Sequence, residues 1–207
     1  MYQNHVPTLA AAIRHSPKVF SSAVMFAAVS ARTHFITVPA QMLELELRGR
    51  KAKCLWSWKT SAFDFVQAHG RRLHDAVMRI DCPEMALRAI CEVPGLGIVK
   101  GAFVLQMMGH DLACLDTRNI ERDGRDPLAY ATRGIKTGKA FEAKVARYVA
   151  DTFGRSQQYW DDWCADVAVT YKKTPFEISA MHLCFVPVKL QRLAPVAVPL
   201  KTNVIPF

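Results

Sequence analysis

The chain has 207 residues, 51% apolar and 22% Asp, Glu, Lys or Arg, a composition too apolar for a disordered chain and a length that excludes two full domains. Twenty-seven basic residues against 18 acids leave a net charge of +9 and a pI near 9.4, which puts nucleic acid first among expected partners. Ordinary solubility charge produces the same surplus, so charge alone does not choose between them.

The longest apolar stretch near the start, residues 19–29, is too short to span a bilayer. Six cysteines without a C-x-x-C pair, and no signal peptide ahead of them, read as buried thiols of a soluble cytoplasmic protein that has no membrane partner. Ser16-Pro17 predicts an N-cap followed by Pro at the first helical position. Phe20, Val24, Ala27 and Ala28 then share one face of a helix of about four turns. Pro39 breaks that helix or the connection after it, and residues 41–47 form a short one. Thr60 or Ser61 caps a helix reaching about residue 79, with Phe65, Val66, Leu73 and Val77 inward. Asp81-Cys82-Pro83-Glu84 is a start signal, with Asp81 as the cap, for a helix that ends near Cys91. Val93-Pro94-Gly95-Leu96-Gly97 interrupts it, and helical spacing resumes from Ile98 until Gly109. Two more helices are predicted at 138–153 and 156–171, separated by Gly154. The expected class is mainly α, with about eight helices in a domain over 1–184. The tail 185–207, with Pro187, Pro195, Pro199 and Pro206, predicts an extended arm.

Residues 92–119 carry the chemistry. Pro94-Gly95-Leu96-Gly97 between two short helices lets the backbone come close to another surface, and the amides opening the second helix form a site for an anion such as a DNA phosphate. Lys100 adds charge there. The bland alternative is a helix corner whose glycines serve only close packing. Further on, the apolar approach Leu112-Ala113-Cys114-Leu115 brings Asp116 to the mouth of a cleft. Arg48, Arg50, Lys51, Lys53 and Lys59 offer a second basic path for phosphates, as do Arg133, Lys136 and Lys139; charge runs are as often merely solvated.

Pro94-Gly95-Leu96-Gly97 together with Leu115-Asp116-Thr117 resembles the helix-hairpin-helix base-excision DNA glycosylases, in which an L-P-G-V-G hairpin precedes a catalytic Asp by about twenty residues. The spacing here agrees to within about one residue. The resemblance implies a helical fold of that family and sequence-independent contacts to double-stranded DNA by Pro94, Gly95, Leu96, Gly97, Val99, Lys100 and Arg118. It further implies a base flipped into a pocket and Asp116 as the catalytic group. It makes Arg32, at the end of an early helix, a candidate to fill the hole left by the base. Trp56, Trp58, Trp160 and Trp163 are candidate pocket walls, although large aromatics more often belong to the core. Members with lyase activity carry a Lys where this chain has Val99. Lys100 is displaced by one residue, about 100° around the helix, so it is expected on the DNA-facing edge or in solvent, with no lyase step. The family's four-cysteine iron–sulfur loop is missing, and no cofactor or metal is expected; His110 and Cys114 lack a second pair for zinc.

Three readings follow from the resemblance. One is a monofunctional glycosylase of a prokaryotic or phage-infected cell. The second is a transferase: Cys114-Leu-Asp-Thr-Arg-Asn119 after Lys100-Gly-Ala-Phe-Val-Leu-Gln106 also looks like phage thymine-hypermodification proteins, which join an amino acid or amine to activated hydroxymethyluracil. The third is a non-catalytic DNA-binding module in which Asp116 only caps a helix.

Overall fold

The computed structural model describes residues 5–132 and 134–192. Arg133 and, within the expected arm, Pro195, Pro199 and Pro206 lie outside the described residues. The fold is mainly helical, and no strand occurs among the described residues.

Helix α2 (Pro17–Ser30) forms the centre. Ser16 caps it, its Oγ accepting from Val19 N at 3.4 Å, and Pro17 pre-sets the first turn. Every residue from Ala23 to Val29 is buried, because this helix is apolar on all sides and is wrapped on all sides. Its wrapping consists of α1 (Val6–His15), α3 (Val38–Arg48), α4 (Trp58–Val77) and α6 (Ile98–Met107). The α4 contact is close because Gly70 of α4 faces α2; a methyl group there would meet Ser21 Oγ at 2.4 Å. α5 (Pro83–Cys91) packs on α6, where Gly101 opposes Leu87 and Cys91. The second half contains α7 (Thr117–Arg122), α8 (Lys139–Thr152), α9 (Ser156–Tyr171), α10 (Pro175–Met181) and α11 (Val188–Gln191).

The caps differ from expectation at two helices. α4 begins at Trp58, with Ser57 at the N-cap in a left-handed conformation (φ 55°); the Thr60 hydroxyl donates instead to Leu55 O at 2.8 Å. α5 has Cys82, not Asp81, at its N-cap, and the Cys82 thiol turns to Glu84. The tail also departs from expectation at its start. Residues 182–185 form a 3-10 turn and Val188–Gln191 a helical turn, with Pro187 at the N-cap, where it costs no hydrogen bond. α10 carries a full capping box between Thr174 and Glu177 with Pro175 in its first turn, a start signal plain in the sequence and absent from the predicted elements.

Candidate functional site

The turn between α5 and α6 is anchored from inside by Leu96, which is fully buried, while Gly95 is exposed. Gly95 sits at φ 77°, and the Trp58 indole lies against its Cα. Close packing and backbone freedom therefore coincide at this residue. Gly97 is the N-cap of α6; its carbonyl accepts from Gly101 N at 2.8 Å, and no side chain caps the helix start. From behind, Lys136 Nζ donates to the carbonyls of Cys91 and Val93 at 2.5 and 2.6 Å. Its ammonium thus satisfies orphan carbonyls at the end of α5 and props the turn, rather than offering charge to a phosphate. Lys139 is exposed at the start of α8.

Asp116 is delivered by a buried, non-helical approach, which requires its backbone groups to find side-chain partners. They do. Cys114 N donates to Gln106 Oε1 at 3.0 Å, Leu115 N donates to Tyr148 Oη at 2.9 Å, and the Tyr148 hydroxyl donates to Ala113 O at 2.7 Å. Asp116 then becomes the N-cap of α7: Oδ1 accepts from Asn119 N at 3.1 Å, and Oδ2 accepts from Trp163 Nε1 at 2.6 Å. Among the described residues no cation pairs with Asp116. Arg122 reaches Asp166 at 3.1 Å and Asp162 at 3.5 Å, clamping α7 to α9. That clamp holds the carboxylate against the helix that bears Trp160 and Trp163.

Between these elements lies a cavity of about 230 Å³. Phe35, Phe103, Trp160 and Trp163 supply aromatic walls; Asp116, Lys100 and Arg118 supply charge. The structure therefore brings three of the predicted site residues together. Pro94, Gly95, Leu96 and Gly97 lead into α6, the helix that carries Lys100, without lining the cavity themselves. Val99 packs partly buried against the core. Arg32 is exposed at φ 56°, in the loop between the cavity-lining Ser30 and Thr33. Of the four tryptophans, Trp160 and Trp163 line the cavity; Trp58 covers Gly95, and Trp56 lies exposed over Lys59 Nζ at 4.8 Å.

Two lysines are placed otherwise than expected. Lys100 points neither to solvent nor to an outer edge: its Nζ donates to Ser30 Oγ at 3.0 Å and lies 5.2 Å from the Phe103 ring, inside the cavity wall. α6 packs beside α2, so the face one residue past Val99 looks at the end of α2. Displacement by one residue thus does not remove the amine from the pocket. Lys59 is fully buried, its Nζ donating to Val29 O at 3.0 Å and Thr33 Oγ1 at 3.3 Å, so it closes the C-terminus of α2 and is not on a phosphate path. Burial pushes its pKa down. Arg48, Lys51 and Lys53 are exposed, as is Arg50, which pairs with Asp64 at 2.9 Å.

His182, which the sequence reading did not single out, is fully buried in the cavity lining. A lone His after a capped helix carries no spacing signal that could have marked it. Burial drives its pKa down to about 3, and burial with Arg14 nearby drives His110 to about 4. Cys114 also lines the cavity, but burial pushes its thiol up to about 12, so it is no nucleophile near neutral pH.

The histidines set a pH dependence. Below pH 6.5 the unfolded chain protonates both rings and the folded chain does not, so their contribution is complete above about 6.5 and is lost as pH falls toward 4 and 3. Unfolding free energy should fall by up to about 1.4 kcal/mol per pH unit for each ring. Urea titrations at pH 7, 6 and 5 measure this; an unchanged midpoint across that window contradicts it.

Among the described residues no group of three or more His, Cys, Asp or Glu could hold a metal ion, and no helix is long and apolar enough to cross a membrane. No family model, curated protein or solved structure matches the chain.

Proposed function

We propose that the protein is a DNA base-processing enzyme of the helix-hairpin-helix glycosylase type, which grips duplex DNA by the 93–97 turn and hydrolyses the N-glycosidic bond of a flipped nucleotide. The observation that carries this reading is the shared cavity: a carboxylate, two cations and aromatic walls beside α6, the helix that follows the glycine turn and has no side-chain cap at its start. A flat base matches the walls. As the bond to the sugar breaks, its electron pair leaves with the base and positive charge grows on the deoxyribose, where the Asp116 carboxylate stabilises it. Water then adds to the sugar carbon and gives its proton to Asp116. Uncapped amides at the start of α6 suit a backbone phosphate.

Lys100 and Arg118 favour a second reading, because two cations in one cavity exceed what a neutral base requires. They suit an anionic co-substrate such as an amino acid, which would be joined to an activated base with the glycosidic bond left intact.

Incubation with duplexes carrying varied thymine and cytosine modifications, followed by mass spectrometry of strand and supernatant, tests both. Excision yields a free base and an abasic strand; transfer yields a heavier strand. Because Lys100 lies in the pocket, borohydride is included. An adduct trapped by the wild type and lost in Lys100→Gln would replace hydrolysis with lyase chemistry, and the absence of a free base, a heavier strand and an adduct would overturn the enzyme reading.

A further inference from the structure

The Asp116 carboxylate is held at both oxygens. Oδ1 takes the Asn119 amide at 3.1 Å, the bond that any N-cap makes, and this alone constrains one oxygen only. The bond from Trp163 Nε1 to Oδ2 at 2.6 Å is not needed to start α7, and it comes from a different helix, 47 positions away. It is short, as bonds to an ionised acceptor tend to be. Together the two bonds fix the plane of the carboxylate.

The donor is immobilised as well. The Trp163 ring stands edge-on to Phe35, with centroids 4.8 Å apart and planes at 87°, and lies 5.6 Å from the His182 ring. Arg122 ties α9, which bears Trp163, to α7, and the same guanidinium donates to Asn119 Oδ1 at 2.6 Å. Asn119 in turn donates from its side chain to Cys114 O at 2.6 Å, so both donors to the carboxylate belong to one braced frame. A wall alone needs no such arrangement. Phe35 and Phe103 line the same cavity without a polar atom, and Trp160 uses its N–H on Ser179 Oγ at 3.3 Å.

We propose that Trp163 is the positioning residue of this site, its indole N–H holding Asp116 Oδ2 so that the carboxylate meets the sugar of a bound nucleotide in one orientation. This rests on the base-processing reading above and gives Trp163 a part in the rate of the chemistry, beyond its part in the wall. A charge fixed in advance lowers the barrier because little reorientation is left for the transition state.

Substitution separates the N–H from the ring. Trp163→Phe keeps an aromatic wall and removes the donor. Trp163→His shrinks the wall but keeps a donor in the same place, since imidazole Nε2 and indole Nε1 both stand two bonds beyond Cγ. The test measures single-turnover rates of the full-length protein at saturating enzyme, on a duplex that the wild type processes, together with dissociation constants. Trp163→Phe is expected to slow the reaction by about 10- to 100-fold with affinity within about threefold. Trp163→His is expected to recover the rate to within about threefold of the wild type while binding the duplex most weakly. A tryptophan that is only a wall gives the opposite pattern, with equal rates at saturation and affinity falling from Trp through Phe to His. That pattern, or a His variant as slow as the Phe variant, overturns the inference and leaves the base-processing reading standing. Proton NMR supplies a reading that needs no change at Trp163. Its indole N–H resonance is expected downfield of those of the other tryptophans and should move upfield in Asp116→Asn; an unmoved resonance overturns the inference too. A wild type that yields neither a free base nor a heavier strand on any duplex overturns both.

Discussion

Asp116→Asn is expected to reduce single-turnover base processing by about 10²- to 10⁴-fold while leaving DNA affinity within about twofold. The substitution is close to isosteric, and Asn serves as an N-cap about as well as Asp, so the Oδ1 contact to Asn119 N survives and α7 keeps its start. The second oxygen is lost as an acceptor for Trp163 Nε1, which costs about 1 kcal/mol of stability. The charge is lost as well. A neutral amide neither stabilises a cationic sugar nor takes a proton from water, so chemistry suffers far more than folding does. Quench-flow of a substrate duplex with matched affinity measurements separates the two effects. Full turnover in the variant would reduce Asp116 to the cap of α7 and assign the chemistry to another group of the cavity.

The largest expected effect on the fold is at Gly95. Gly95→Ala should destabilise the protein by about 3 kcal/mol or more, the sum of a left-handed backbone angle that Cβ disfavours and the eviction of an aromatic neighbour. The added methyl group would come within 2.1 Å of Trp58 Cε3, a ring atom of a large side chain packed against the core. Gly97→Ala is the contrast. Its φ is −96°, and the new methyl would meet Thr132 Oγ1 at 3.5 Å, an ordinary contact, so stability should change by less than about 1 kcal/mol. DNA affinity should nevertheless fall, because the methyl group stands where the backbone approaches phosphate. Thermal melts and binding isotherms of both variants measure this. Equal stability losses at the two glycines would contradict the account of the turn.

Helix punctuation made much of this architecture legible. Ser16-Pro17 marks the start of α2, Gly154 the break between α8 and α9, and the glycine turn the break between α5 and α6; each is a local event whose cause lies in the residues themselves. Asp116 and Lys100 were found by motif, but the surroundings of both are tertiary. Nothing in the spacing says that Trp163, nearly fifty positions later, hydrogen-bonds to the carboxylate, or that Ser30 draws the lysine inward. Lys59 misled for the same reason. A basic run reads as surface until the end of another helix, α2, presents carbonyls to its last member. His182 gave no signal, since an unpartnered nitrogen is a property of what packs around it.

Photo-crosslinking of a duplex that carries one 5-iodouracil, with peptide mapping of the adduct, tests most directly whether a base enters the cavity. Adducts are expected on the aromatic walls, Trp160, Trp163 or Phe35, and should vanish when excess unmodified oligonucleotide competes. Adducts confined to the exposed basic segment 48–53, with the cavity walls unmodified, would contradict it.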